Sequence, residues 1–149
     1  MRIFIPALIP LIVFSLFFSE NSAAECQGSQ NLPSQQLFVD FLPNSHEISE
    51  SDRARIRRWV STTNSRHPIQ NWIDIIGSAS RNESTPDQLA TKRASAVAKA
   101  VIDDGLINAP FQIKTQIYPT NSAAEPSSET RSVTVQVSPG CPNNCCAGR

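Results

Sequence analysis

The sequence predicts an α+β fold, a two-layer sandwich of element order βαβαββ in which a mixed four-stranded sheet carries two helices on one face. Three observations lead there. Apolar positions switch between period 2 and period 3.6 along the chain, as strand and helix require. Two segments toward the carboxyl end alternate apolar and polar residues, which a sheet does when only one of its faces is buried. Two longer segments carry helix start signals, and one of them a glycine stop.

Leu37-Phe38-Val39-Asp40-Phe41 is a nearly continuous apolar run and reads as an internal strand. Ser49-Glu50-Ser51-Asp52 follows, with an acid three residues after the first Ser, as in a capping box. The helix it opens sets Ile56, Trp59 and Val60 on one face. Arg53, Arg55, Arg57 and Arg58 surround them and read as a solvated face. Trp72-Ile73-Asp74-Ile75-Ile76 forms the second strand, ended by Gly77 and the polar loop Ser78 to Ser84. Thr85-Pro86-Asp87-Gln88 starts the second helix, with Thr85 as N-cap, Pro86 in the first turn and Gln88 closing the box. That helix runs to about Asp104, where Gly105 supplies a left-handed stop. Phe111, Ile113, Thr115 and Ile117 alternate with Gln112, Lys114 and Gln116, and Val133, Val135 and Val137 with Thr134 and Gln136. These are the last two strands. Pro119 to Glu129 between them has no apolar period and reads as a surface loop.

The ends of the chain point to export. Arg2 precedes an apolar run from Ile3 to Phe18, and Ser22-Ala23-Ala24 places small side chains at the positions a signal peptidase requires. Residues 1–24 are expected to be a cleaved signal peptide. Residues 25–36 are an irregular segment, 37–138 the domain and 139–149 a Cys-rich tail. Pro6 and Pro10 interrupt the apolar run, which is shorter than a bilayer span, so no membrane span is expected after cleavage. Glu25 ahead of Cys26 argues against lipidation. The cysteines, Cys26, Cys141, Cys145 and Cys146, sit at the two ends of the mature chain, and export makes disulfides their expected state. A zinc site would want a C-x-x-C pair or nearby histidines, and His46 and His67 are remote in sequence. Cys145 and Cys146 are too strained as neighbours to bond to each other, and Cys26 is expected to pair with one of the carboxyl-terminal three.

Composition narrows the function. The chain has 13 basic and 13 acidic residues, and cleavage removes one of each, Arg2 and Glu20. Such a balance gives no field to draw nucleic acid. There is no Gly-rich phosphate loop, no G-x-S-x-G, no H-E-x-x-H and no Cys beside a His, so neither an enzyme nor a bound cofactor or metal is expected. Asp103-Asp104 reads as helix-end charge. Arg93 stands out. Projected at about 100° per residue, it falls in the apolar stripe of Leu89, Ala96, Val97 and Ala100. A guanidinium there must find a carboxylate or reach a pocket edge. The sequence leaves two options: an internal pair with Asp40 or Asp74, or a fork that clamps a ligand carboxylate.

The element order and one string, Leu89-Ala90-Thr91-Lys92-Arg93-Ala94 with Ala96-Val97 and Gly105, resemble the OmpA-like family, found at the carboxyl end of outer-membrane protein A and in peptidoglycan-associated lipoproteins. Phe38-x-x-Phe41 with Ser45, Ile73-x-Ile75-x-Gly77 and Arg131-Ser132-Val133 extend the resemblance over Leu37 to Val137. Members grip the diaminopimelate side chain of peptidoglycan with an Asp just after the second strand and the Arg of the helix. The resemblance therefore implies a periplasmic, envelope-associated protein that binds the peptidoglycan peptide stem through Arg93, with Ser80, Gly77 and Arg131 as the other ligand-site positions. Arg93 is then expected at the mouth of a shallow cleft between the second helix and the loop Ser78 to Ser84. Ser80 stands where the family has its Asp, Pro86 where it has an Asn, and the loop from Pro119 to Glu129 where many members have a third helix. These departures imply the alternative, an OmpA-like fold that has lost wall binding and serves as a structural or interaction subunit among envelope proteins.

Overall fold

A computed structural model of the chain describes residues 32–119 and 128–142. The stretch expected to be a signal peptide, residues 1–24, lies outside them, as do Cys26, Cys145, Cys146 and most of the loop Pro119 to Glu129. The strands are β1 (Gln35–Asp40), β2 (Gln70–Ser80), β3 (Phe111–Tyr118) and β4 (Ser132–Pro139), with helices α1 (Glu50–Arg66) and α2 (Pro86–Asp103) between the first three. They form one mixed sheet of order β1-β4-β2-β3. β4 is antiparallel to both β1 and β2, while β2 and β3 run parallel. This is the βαβαββ sandwich that the patterning predicts.

Period 2 places Leu37 and Val39 of β1, Ile73 and Ile75 of β2 and Val133, Val135 and Val137 of β4 on the same side of the sheet, where all are buried. Ile56 and Val60 of α1 and Ala94, Val97 and Val101 of α2 close over them in one cluster. Ser49 caps α1, accepting the Asp52 N–H at 3.1 Å. Gly105 ends α2 at φ 97°, and the Gly105 and Leu106 N–H groups bond back to Ile102 and Val101, a Schellman closure.

Several details differ from the sequence reading. β1 begins at Gln35, two residues early, because Gln35 and Gln36 pair with Val137 and Gln136. Gly77 does not end β2: Ser78, Ala79 and Ser80 continue the strand, paired with Gln116, Ile117 and Tyr118. Thr85 makes no side-chain cap and sits in the left-handed region at φ 47°. The face expected to be buried on β3 is only partly covered. Phe111 joins the main core and Ile117 packs on Ala79, Leu89 and Ala90, but Ile113, on an edge strand, is 52% exposed. Beyond β4 lies Cys141, which is disulfide-bonded. Because Gln35 faces Val137, the chain enters β1 at the same end of the sheet where it leaves β4 toward Cys141.

Candidate functional site

Arg93 projects from the second turn of α2 toward the loops that follow β1 and β2. The sequence reading puts it at the rim of a cleft. The structure seals it in, with no exposed surface at all. Its partner is neither Asp40 nor Asp74 but Glu83, ten residues earlier on the loop between β2 and α2. The two side chains meet fork to fork, Nη1 to Oε2 at 2.8 Å and Nη2 to Oε1 at 2.6 Å. Backbone carbonyls take the remaining guanidinium donors: Nε bonds Ser45 at 2.8 Å, Nη1 bonds Ser78 at 3.0 Å and Nη2 bonds Leu42 at 3.2 Å. All five N–H groups of the fork are thereby used. The Phe41 ring lies 5.4 Å from the guanidinium carbon, a cation–π contact that shields it further.

Glu83 is held as completely as Arg93. Oε1 also accepts the Asn44 N–H and Oε2 the Ser80 N–H, both at 2.9 Å. The Glu83 N–H returns to the Ser80 carbonyl, closing a tight turn at the end of β2 that swings the carboxylate back under the strand. Asn44 accepts from the Ser84 N–H through Oδ1 at 2.8 Å, so the two loops are stitched to each other around the ion pair. Among the described residues the two non-glycine positions with positive φ, Asn44 at 57° and Thr85 at 47°, flank this clasp. Asn tolerates that region, whereas β-branched Thr is strained there, and such backbone persists only where its surroundings over-determine it. Here the clasp does so.

Burial alone would raise the Glu83 pKa. The Arg93 bonds, aided by the Asn44 and Ser80 amides, outweigh burial and hold the carboxyl below its ordinary value. A depressed folded pKa means that Glu83 contributes stability above its unfolded value near ~4.3 and loses it as pH falls through the folded value. Urea midpoints measured from neutral pH downward are expected to drop below about pH 4.3. In Glu83→Gln that acid limb should be shallower, and an identical limb in both proteins would refute the assignment.

The other implied ligand positions separate. Ser80 is buried and belongs to the clasp through its backbone. Gly77 is a packing position: a Cβ added there would lie 2.3 Å from the Ala90 carbonyl oxygen and 2.8 Å from the Ala94 Cβ of α2. Arg131 ends the short 3-10 turn Ser128–Arg131, and its carbonyl accepts the Phe41 N–H at 2.9 Å. Asp74 pairs with Lys114 at 2.8 Å on the open face of the sheet. No cleft opens on Arg93 itself. A cleft of about 380 Å³ lies instead against the β1–α1 loop, where Asp40, Glu47 and Asp52 line it with Phe41, Leu42 and Ile48. The described residues hold no cluster of His, Cys, Asp and Glu able to bind a metal ion, and no described helix is long and apolar enough to cross a membrane.

Sequence reasoning missed Glu83 and Asn44. Glu83 had one available signal: it is the only acid between Asp74 and Asp87, in the loop that leads into the helix bearing Arg93.

No family model matches the chain, and no curated protein does. Solved structures do. The peptidoglycan-associated lipoprotein from Burkholderia pseudomallei is similar at 20% identity over 67% of this chain and 88% of its own, with a TM-score of 0.55. The periplasmic domain of Helicobacter pylori MotB gives 18% identity over 75% and 79%, with a TM-score of 0.54. The OmpA-like domain of FopA1 from Francisella tularensis gives 20% over 71% and 73%, with a TM-score of 0.51. At such identities the likeness is one of architecture, and with the matching strand and helix order it assigns this chain the OmpA-like fold.

Proposed function

We propose that this is an exported module of the cell envelope in which the arginine that OmpA-like relatives offer to a ligand has become an internal clasp, so that the protein serves as a structural or interaction subunit. One observation carries the reading: Arg93 has no exposed surface, and every guanidinium N–H is spent within the chain, two of them on Glu83. A ligand carboxylate could reach Arg93 only by displacing a carboxylate already bonded four ways. Peptidoglycan is the second reading, favoured by the likeness to a lipoprotein described as peptidoglycan-associated.

Sedimentation with purified peptidoglycan sacculi separates the two. The expected result is that the wild-type chain stays in the supernatant, or that any retained fraction is the same in Arg93→Lys, which keeps the charge but loses the fork. Retention of the wild type that Arg93→Lys abolishes, while the variant remains folded by circular dichroism, would establish Arg93-dependent wall binding and defeat the proposal.

A further inference from the structure

The two edges of the sheet are not equivalent. On the β1 edge Arg55 reaches over from α1 to the Phe38 carbonyl. On the β3 edge no described element lies alongside the strand. β3 pairs with β2 over eight successive residues without a register shift, so no bulge interrupts the strand. Exposed edges of this kind normally carry a charge that repels a further strand. The one charge of β3, Lys114, is instead tied to Asp74 at 2.8 Å.

Backbone direction identifies which groups the edge presents. The Ile73 N–H bonds the Pro110 carbonyl and the Arg81 N–H bonds the Tyr118 carbonyl, so even-numbered positions of this segment point toward β2. Successive residues point opposite ways. The N–H and C=O groups of Ile113, Thr115 and Ile117 therefore face outward without a partner in the sheet. We propose that the β3 edge pairs antiparallel with β3 of a second copy of this chain, about a two-fold axis at Thr115, joining two four-stranded sheets into one.

The strand sequence is suited to pairing with itself. With Thr115 opposite Thr115 of the second copy, Ile113 faces its Ile117, and these outward pairs exchange backbone hydrogen bonds. The half-exposed Ile113 side chain gains an apolar neighbour. On the other face Lys114 meets Gln116 and Gln112 meets Tyr118. Centring the axis one residue earlier would set Lys114 against Lys114, and like charges directly opposite are destabilising. Axes at Lys114 and Thr115 give the longest overlap of the two strands, and charge selects Thr115 between them, while a net charge of zero adds no long-range repulsion between copies.

Sedimentation equilibrium of the mature, disulfide-intact chain over a concentration series tests this. A monomer–dimer equilibrium is expected. Gln116→Glu, which sets an acid against Lys114 of the second copy, should tighten it about tenfold, and Gln116→Lys should loosen it by a similar factor, since the axis makes each contact twice. Thr115→Pro removes an outward N–H at the axis but no bond to β2, and should leave a monomer. If Thr115→Pro fails to fold, the two Gln116 variants decide alone. A wild type that stays monomeric throughout, Gln116 variants with an unchanged dissociation constant, or a folded Thr115→Pro that still dimerises would each overturn the pairing.

Discussion

Arg93→Ala is expected to lower the stability of the protein by about 3–5 kcal/mol, read as a large fall in the urea midpoint with little change in slope. The magnitude follows from what the substitution leaves behind. Removing the guanidinium strands the Glu83 carboxylate, whose side chain is 6% exposed, and frees the carbonyls of Leu42, Ser45 and Ser78. A buried group deprived of its partner bears its full desolvation cost. Glu83→Ala should be similarly severe, because it leaves an Arg that cannot be neutralised at any accessible pH. The double variant should cost much less than the sum of the two, since neither charge then remains. That sub-additivity identifies the pair as a coupled unit, and additive costs in the cycle would contradict it. An Arg serving a ligand behaves otherwise: its removal would weaken binding and leave the urea midpoint nearly in place.

The same pair shows where the sequence is legible and where it is not. Period 2 in β4 and period 3.6 in α2 are intrinsic to the chain, and both appear where the alternation of Val133, Val135 and Val137 and the stripe of Leu89 and Val97 put them. Gly105 marks its own helix end, because only one backbone region closes a helix in that way. The conflict between a guanidinium and an apolar face at Arg93 is equally plain from spacing alone. Its resolution is not. Glu83 reaches Arg93 by a turn closed on Ser80 and by Asn44, 39 residues away along the chain. The turn is local but does not announce where its carboxylate will point, and the Asn44 contact is tertiary, so no local pattern encodes the pairing. Asp40 and Asp74 attract attention as charges within apolar strands, yet Asp40 is exposed and Asp74 points to the open face and Lys114. Strand parity, applied to Asp74 against buried Ile73 and Ile75, would have excluded it. Partial burial of β3 escaped the pattern for another reason: alternation reports which residues share a face, whereas coverage depends on how far α2 extends toward the edge.

Gly77→Ala is expected to cost about 1–3 kcal/mol, toward the upper end because the obstacle is backbone and not a flexible side chain. The added Cβ would lie 2.3 Å from the Ala90 carbonyl oxygen and 3.1 Å from the Ala94 nitrogen, so α2 itself must move away from β2. Arg93 rides on that helix between Ala90 and Ala94, while its acceptor Ser78 follows Gly77 on the strand. Lifting the helix therefore lengthens the bonds of the clasp as well as loosening the packing. The two effects are separable. In an Arg93→Ala background the clasp is already lost, and Gly77→Ala should cost less there than in the wild type, by whatever share of its effect passes through Arg93. Urea midpoints of the four proteins measure that share. An equal cost in both backgrounds would mean that the helix moves without disturbing the ion pair, and that Gly77 serves the packing of α2 alone.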